Sequence, residues 1–249
     1  MLSRYTPRLS VLLVGSVATG LADEGSDVDV CFVAPPSIWH ELDADLVRGG
    51  FKSGHLPNEM TVGTLRVDWF VVSLSGAEAA LEAGEDYALY DINHFIALQD
   101  PGGQYQRLAA RYQSLDPALI AARVQRYSLQ VTAGAEYLGA LVQRGDPLEC
   151  ATQALGLAIC AISLCLWLDG HAPGSKRMME MAEQCSTAEC LMPPVRALLQ
   201  ALGEFLAGTV AAPAAGCQLM RAAGILVASC ERARAAHGSR PPGSDAEVQ

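Results

Sequence analysis

Positive charge is what this chain has least of. It holds 17 lysines and arginines against 27 aspartates and glutamates, a formal net charge of −10 with a pI near 4.9. Proteins that track a nucleic-acid backbone neutralise its phosphates with clustered basic side chains, so this balance argues against a nucleic-acid polymer as partner. An acidic protein instead attracts a cationic small molecule or tolerates a neutral one, and a nucleotide would need a metal ion to supply local positive charge. Aromatic residues are also few, at 6%, while 51% of the 249 residues are apolar, which suits an Ala/Leu-rich helical body with ample core. The eight cysteines (Cys31, Cys150, Cys160, Cys165, Cys185, Cys190, Cys217 and Cys230) include no C-x-x-C pair and no histidine grouping nearby, which argues against structural zinc. Most lie in apolar helical surroundings, where a thiol acts as a small hydrophobe, and they read as reduced cysteines of a cytoplasmic protein. Long uncharged runs are scarce too. The exception is Ala154–Leu168, ALGLAICAISLCLWL, inside a stretch without charge between Glu149 and Asp169. Its length is borderline for a bilayer span, it lies beside Thr152 and Gln153, contains Ser163 and lacks a basic flank, so a buried bundle helix is expected and no membrane. The apolar run after MLSRYTPRLS is short and enters a Gly-Ser turn at once, so it reads as a first strand and not a signal peptide.

What is present centres on residues 11–33, VLLVGSVATGLADEGSDVDVCFV. Val11–Val14 reads as a buried strand, Gly15-Ser16 as a turn, and the segment carrying Asp27 and Asp29 as a second strand. Gly15 lets the backbone approach a ligand with no Cβ in the way, and Ser16 adds a hydroxyl beside free N–H groups at a helix start, which together make an anion site. Asp27 and Asp29 are two residues apart, so on a strand they project from one face while Val28 and Val30 point to the other. Paired carboxylates facing a phosphate cradle are what Mg²⁺ takes, since it binds oxygen ligands and shares its shell with phosphates.

An apolar strand, Gly15-Ser16 and then Ser26-Asp27-Val28-Asp29-Val30 resembles the signature of the DNA polymerase β-type nucleotidyltransferase superfamily. In outline the chain is most similar to the aminoglycoside and lincosamide (antibiotic) nucleotidyltransferases. The resemblance implies an α+β fold: a small mixed β-sheet catalytic domain over residues 1–100, an all-α helical bundle over 101–236, and a Pro/Gly/Ser-rich tail over 237–249 that reads as disordered. It implies Mg²⁺ or Mn²⁺ on Asp27, Asp29 and a third carboxylate, with Gly15, Ser16 and Ser26 toward the triphosphate of ATP or another NTP. The third acid is expected on a neighbouring strand. In TLRVDWFVVS, Val67, Trp69 and Val71 share one face and Arg66, Asp68 and Phe70 the other, so Asp68 is the candidate, as metal ligand or as general base on the attacking hydroxyl. The plainer alternative is an ordinary strand salt link between Asp68 and Arg66 or a neighbour. LWLDGHAPGSKRMMEM resembles the helix–loop–helix whose lysine reaches the triphosphate, which points to Lys176 and, more weakly, Arg177. A cation at a helix start opposes the helix dipole and so asks for an anionic partner.

Elsewhere the expectations are structural. A helix over Ser37–Arg48 ends at Gly49-Gly50, and two strands follow between Phe51 and Ser73, turning at Pro57-Asn58 or at Gly63. The stretch Gly76–Asp100 reads as helical up to the Asp100-Pro101-Gly102-Gly103 turn. Its acids Glu78, Glu82, Glu85, Asp86 and Asp91 line a site for a cationic acceptor or form a solvated face. Helices are expected over Pro117–Arg144, from Asp146-Pro147 to Leu168, over Ser175–Glu183, over Val195–Ala207 opened by Pro193-Pro194, and over about Ala215–Ala236. The resemblance implies transfer of a nucleoside monophosphate to a hydroxyl of a small molecule such as an aminoglycoside or lincosamide, with release of pyrophosphate. Related enzymes often seat the acceptor between two subunits, so a homodimer stays open. The alternative is nucleotidylylation of a protein partner, or a non-catalytic nucleotide-binding module.

Overall fold

The computed structural model describes residues 2–174, 177–208 and 212–238. The chain divides into two compact units, residues 1–115 with 174–177, and residues 116–173 with 178–249.

The first unit is built on a five-stranded mixed sheet. Its strands are β1 (Ser10–Val14), β2 (Val28–Ala34), β3 (Gly54–Val62), β4 (Leu65–Ser73) and β5 (Ile96–Gln99), in the order β3-β4-β2-β1-β5. β1 runs antiparallel to β2 and β5, β3 antiparallel to β4, and β2 parallel to β4. A parallel pair needs a crossover, and the chain supplies one with α2 (Pro36–Arg48) and the strand β3. Before α2 comes the short α1 (Gly15–Thr19), and after β4 come α3 (Leu74–Glu82), α4 (Asp86–Asn93) and α5 (Gln104–Ala110). The helix α2 presents Ile38, Leu42 and Leu46 to Trp69 and Val71 of β4, with Tyr5, Leu9 and Ala34 completing this core. Tyr5 donates its hydroxyl to Asp45 at 2.7 Å, which ties the N-terminal segment to α2. One side of β4 is thereby committed to burial, and the alternation of the strand leaves Asp68 and Phe70 on the other.

In this unit one open alternative is settled and one expectation is corrected. The turn between β3 and β4 is at Gly63, which adopts φ 63°, and Pro57-Asn58 lies within β3. There the pairing with β4 shifts register between Gly54 and Asn58, and the Asn58 side chain accepts from the Lys52 N–H at 2.8 Å and donates to the Lys52 carbonyl at 2.9 Å. Proline cannot donate to the ladder, so an edge-strand irregularity accommodates it without turning the chain. The stretch read as helical up to Asp100 contains β5, whose four residues are too short for a period to show.

The second unit consists of helices α6 (Pro117–Arg144), α7 (Pro147–Leu168), α8 (Met178–Ala182), α9 (Ala188–Ala207) and α10 (Ala212–Gly238). Both Asp-Pro signals act as read. Asp116 caps α6 by accepting from the Ala118 N–H, and Asp146 caps α7 by accepting from the N–H groups of Leu148 and Glu149 at 3.0 Å. By length and composition α7 could cross a bilayer. In the bundle it packs on α6, α9 and α10 and buries residues throughout its length, Trp167 completely. Two boundaries differ from expectation. α9 begins at Ala188 and carries Pro193 and Pro194 inside it, with buried Leu191 and Met192 holding the turn that the prolines deprive of hydrogen bonds. α8 starts only at Met178, because Arg177 has a left-handed backbone, φ 57°. The expected start of this helix at Ser175, the triphosphate role of Lys176 and the tail beyond Gly238 lie outside the described residues.

Replacing Asp146 with alanine removes an acceptor shared by two helix-terminal N–H groups and should destabilise the protein by about 1 kcal/mol, read as a lower urea midpoint at unchanged slope.

Candidate active site

Pairing between β2 and β4 places Asp29 directly opposite Asp68, and Val14 at the end of β1 opposite Asp29. Asp27 stands one residue before β2 on the same face as Asp29. The three carboxylates converge: one oxygen from each lies within 4.8 Å of the others. Asp27 is buried, 7% exposed, while Asp29 and Asp68 are half-buried. The Asp68–Arg66 salt link is not what forms; Arg66 donates to Asp27 Oδ2 at 2.6 Å instead. Burial and the charge of Asp27 push the Asp68 carboxyl above the usual carboxylate range, and its Oδ1 is buried with no hydrogen-bond partner among the described residues. An orphaned buried carboxylate oxygen beside two further carboxylates fits a divalent cation, whose shell is made of such oxygens. Asp27, Asp29 and Asp68 would hold it.

The glycine of the Gly-Ser turn is required by this geometry. Gly15 has φ 69°, and a Cβ on it would come to 3.0 Å from Asp29 Cγ and nearer still to a carboxylate oxygen. Ser16 is buried in the first turn of α1, whose N-terminus has no side-chain cap. That leaves helix-start N–H groups for an anion.

Asp29 and Asp68 open onto a cavity of about 310 Å³, lined also by Val14, Gly15, Ser16, His55, Pro57, Phe70, Tyr87, Tyr90, Asp91 and Arg177. Burial holds the His55 imidazole below its ordinary pKa, and the ring lies edge-on to Tyr87, centroids 5.0 Å apart. Of the five acids flagged between Gly76 and Asp100, Asp91 alone lines this cavity; Glu78 is ion-paired with Arg111. Burial, reinforced by the charge of Asp29, pushes the Asp91 carboxyl up to about 7. Tyr87, Tyr90 and Asp91 follow the i, i+3, i+4 spacing of one helix face, a signal in the sequence that picks out this wall.

Arg177 reaches the cavity and pairs with Asp23, which this contact holds below the usual carboxylate range. Ser26 does not line the cavity. Its hydroxyl donates to Asp23 at 3.0 Å and accepts from the Asp23 N–H at 2.9 Å, shaping the loop before β2, and Arg177 lies 3.5 Å from it. Gly174 passes so close to Tyr90 that a Cβ would sit 2.8 Å from the ring.

Residues 1–55 match the family model of the nucleotidyltransferase domain. That match covers β1, the Gly-Ser turn and both Asp27 and Asp29, and ends before Asp68. Among solved structures, a nucleotidyltransferase-like protein from Exiguobacterium sibiricum 255-15 is similar in fold, with a TM-score of 0.50 and 11% identity over 95% of this chain and 75% of that one. No match was found among curated proteins. The mixed sheet followed by a helical C-terminal region agrees with a nucleotidyltransferase domain plus helical bundle.

Two outcomes follow. Gly15→Ala forces Asp29 to move and places alanine at positive φ, so Asp29 should be displaced in a crystal structure of the variant and Mn²⁺ affinity should fall by ~10-fold or more. The Asp91 carboxyl has a folded pKa above its unfolded one, so its ionisation costs stability as pH rises from about 4 to about 7. In metal-free buffer, Asp91→Asn should therefore gain stability over the native protein between about pH 4.5 and about pH 8 by urea titration; a difference independent of pH would show that this carboxyl ionises freely.

Proposed function

We propose that this protein transfers a nucleoside monophosphate from an NTP, ATP foremost, to a hydroxyl of a small molecule and releases pyrophosphate. The observation that carries the reading is the convergence of Asp27, Asp29 and Asp68 beside the Gly15-Ser16 turn, with Asp29 and Asp68 opening onto a cavity. Gly15, the Ser16 hydroxyl and the uncapped start of α1 receive the triphosphate, with Arg177, which lines the cavity, and its sequence neighbour Lys176 as the cations that add to it. A divalent ion, Mg²⁺ or Mn²⁺, on the three carboxylates would neutralise charge building up on the α-phosphate and the leaving pyrophosphate. The acceptor oxygen attacks the α-phosphorus, the bond from that phosphorus to the pyrophosphate oxygen breaks, and the hydroxyl proton passes to a carboxylate. Asp68, which faces the cavity, suits that role.

The acceptor side of the cavity is formed by His55, Phe70, Tyr87, Tyr90 and Asp91. Aromatic faces with one carboxylate suit an amine-bearing, hydroxylated molecule, and the net charge of −10 favours such a cation on approach. Aminoglycosides and lincosamides are the classes to test first, which would make the activity one of antibiotic resistance. All eight cysteines are free, which supports a reducing, cytoplasmic setting.

The test incubates the protein with Mg²⁺, each α-labelled NTP and a panel of aminoglycosides, lincosamides and metabolites, beside a cell-lysate control. Label on a small molecule supports the proposal, and label on a polypeptide supports protein nucleotidylylation instead. Asp29→Asn should lower turnover by ~10³-fold or more with the fold intact by circular dichroism, whereas near-normal turnover would remove the assignment.

A further inference from the structure

We propose that Arg66 is a tethered counter-ion of the carboxylate cluster, which occupies Asp27 at rest and yields it to an arriving divalent cation. This rests on the reading of Asp27, Asp29 and Asp68 as a cation site.

The placement follows from the strand pairing. Val28 is opposite Val67 and Asp29 opposite Asp68, so one step back brings Asp27 level with Arg66, on the same face as the two other acids. The guanidinium reaches Asp27 Oδ2 at 2.6 Å. The two partners differ sharply in freedom: the Arg66 side chain is 63% exposed and that of Asp27 is 10% exposed. The carboxylate is therefore fixed by the fold, while the cation is held on a long stem near the Gly63 turn and can leave by side-chain rotation alone. Three carboxylates this close repel one another when ionised, and a positive partner relieves that repulsion before a metal is present. A divalent ion provides two charges at the centre of the cluster where Arg66 provides one at its edge. The ion gains from Asp27 what the guanidinium loses, and the guanidinium returns to water at little cost because it is already mostly hydrated. Arg66 thus sets a threshold: it keeps the empty site ordered and weakens binding of the bare ion.

The experiment titrates Mn²⁺ into the full-length protein, with free Mn²⁺ followed by electron paramagnetic resonance, for the native protein, Arg66→Gln and Asp29→Asn. Asp29→Asn should abolish binding, locating the ion on the cluster. Arg66→Gln should bind Mn²⁺ about 3- to 10-fold more tightly than the native protein, with unchanged circular dichroism. An Arg66→Gln affinity equal to or weaker than native overturns the counter-ion role while leaving the cation site standing. No Mn²⁺ binding by native protein and Arg66→Gln alike, or full binding retained by Asp29→Asn, overturns the cation-site reading itself and the proposal with it.

Discussion

The parallel pairing of β2 with β4 is the constraint on which the rest of the site depends. It sets Asp29 opposite Asp68 and carries Asp27 to the same face, holding together three groups that would separate if free. At an effective dielectric near 20, two ionised carboxylates at this separation repel by about 3.5 kcal/mol or more, so the arrangement is imposed from outside the cluster. What imposes it is the opposite face of the same strands, where Trp69 and Val71 are buried against Ile38, Leu42 and Leu46 of α2. A slip of one residue would turn that apolar set outward, so the register that packs the core also fixes the acids. The strain appears in the electrostatics as a raised Asp68 carboxyl and an orphaned buried oxygen.

Around that pair of strands, small residues decide what may approach. Gly15 leaves Asp29 the space a Cβ would fill, and Gly174 lets its segment lie against Tyr90. Each is a place where a missing side chain determines the position of a charged or aromatic neighbour. The aromatic wall formed by Tyr87 and Tyr90 of α4 with His55 and Phe70 encloses the acids on one side, and burial there explains both the lowered His55 and the raised Asp91.

Much of this was legible in the sequence, for identifiable reasons. The two-residue period told which face Asp27, Asp29 and Asp68 would share, and aspartate followed by proline marked the starts of α6 and α7, because both signals are local. Glycine in the Gly63 turn competed with Pro57-Asn58, and a proline tolerated on an edge strand could not be told from a proline that turns the chain. β5 was hidden because four residues carry no period, and it forms by pairing with β1 across some 85 residues of chain. Pro193 and Pro194 looked like a helix start, but burial of Leu191 and Met192 extends α9 ahead of them.

By itself the sequence determined which residues could do chemistry: a glycine that frees the backbone, a serine beside it, and three aspartates in strand-like alternation. Side-chain period and backbone freedom are properties of a few neighbouring residues, and they survive whatever the chain does elsewhere. Only the tertiary structure decided that Arg66 goes to Asp27 rather than Asp68, that Asp91 and not Glu78 joins the cavity, and that Ser26 serves its own loop. Those outcomes turn on strand register and helix orientation, which bring together residues far apart in the chain by burying apolar surface that no single stretch can bury alone.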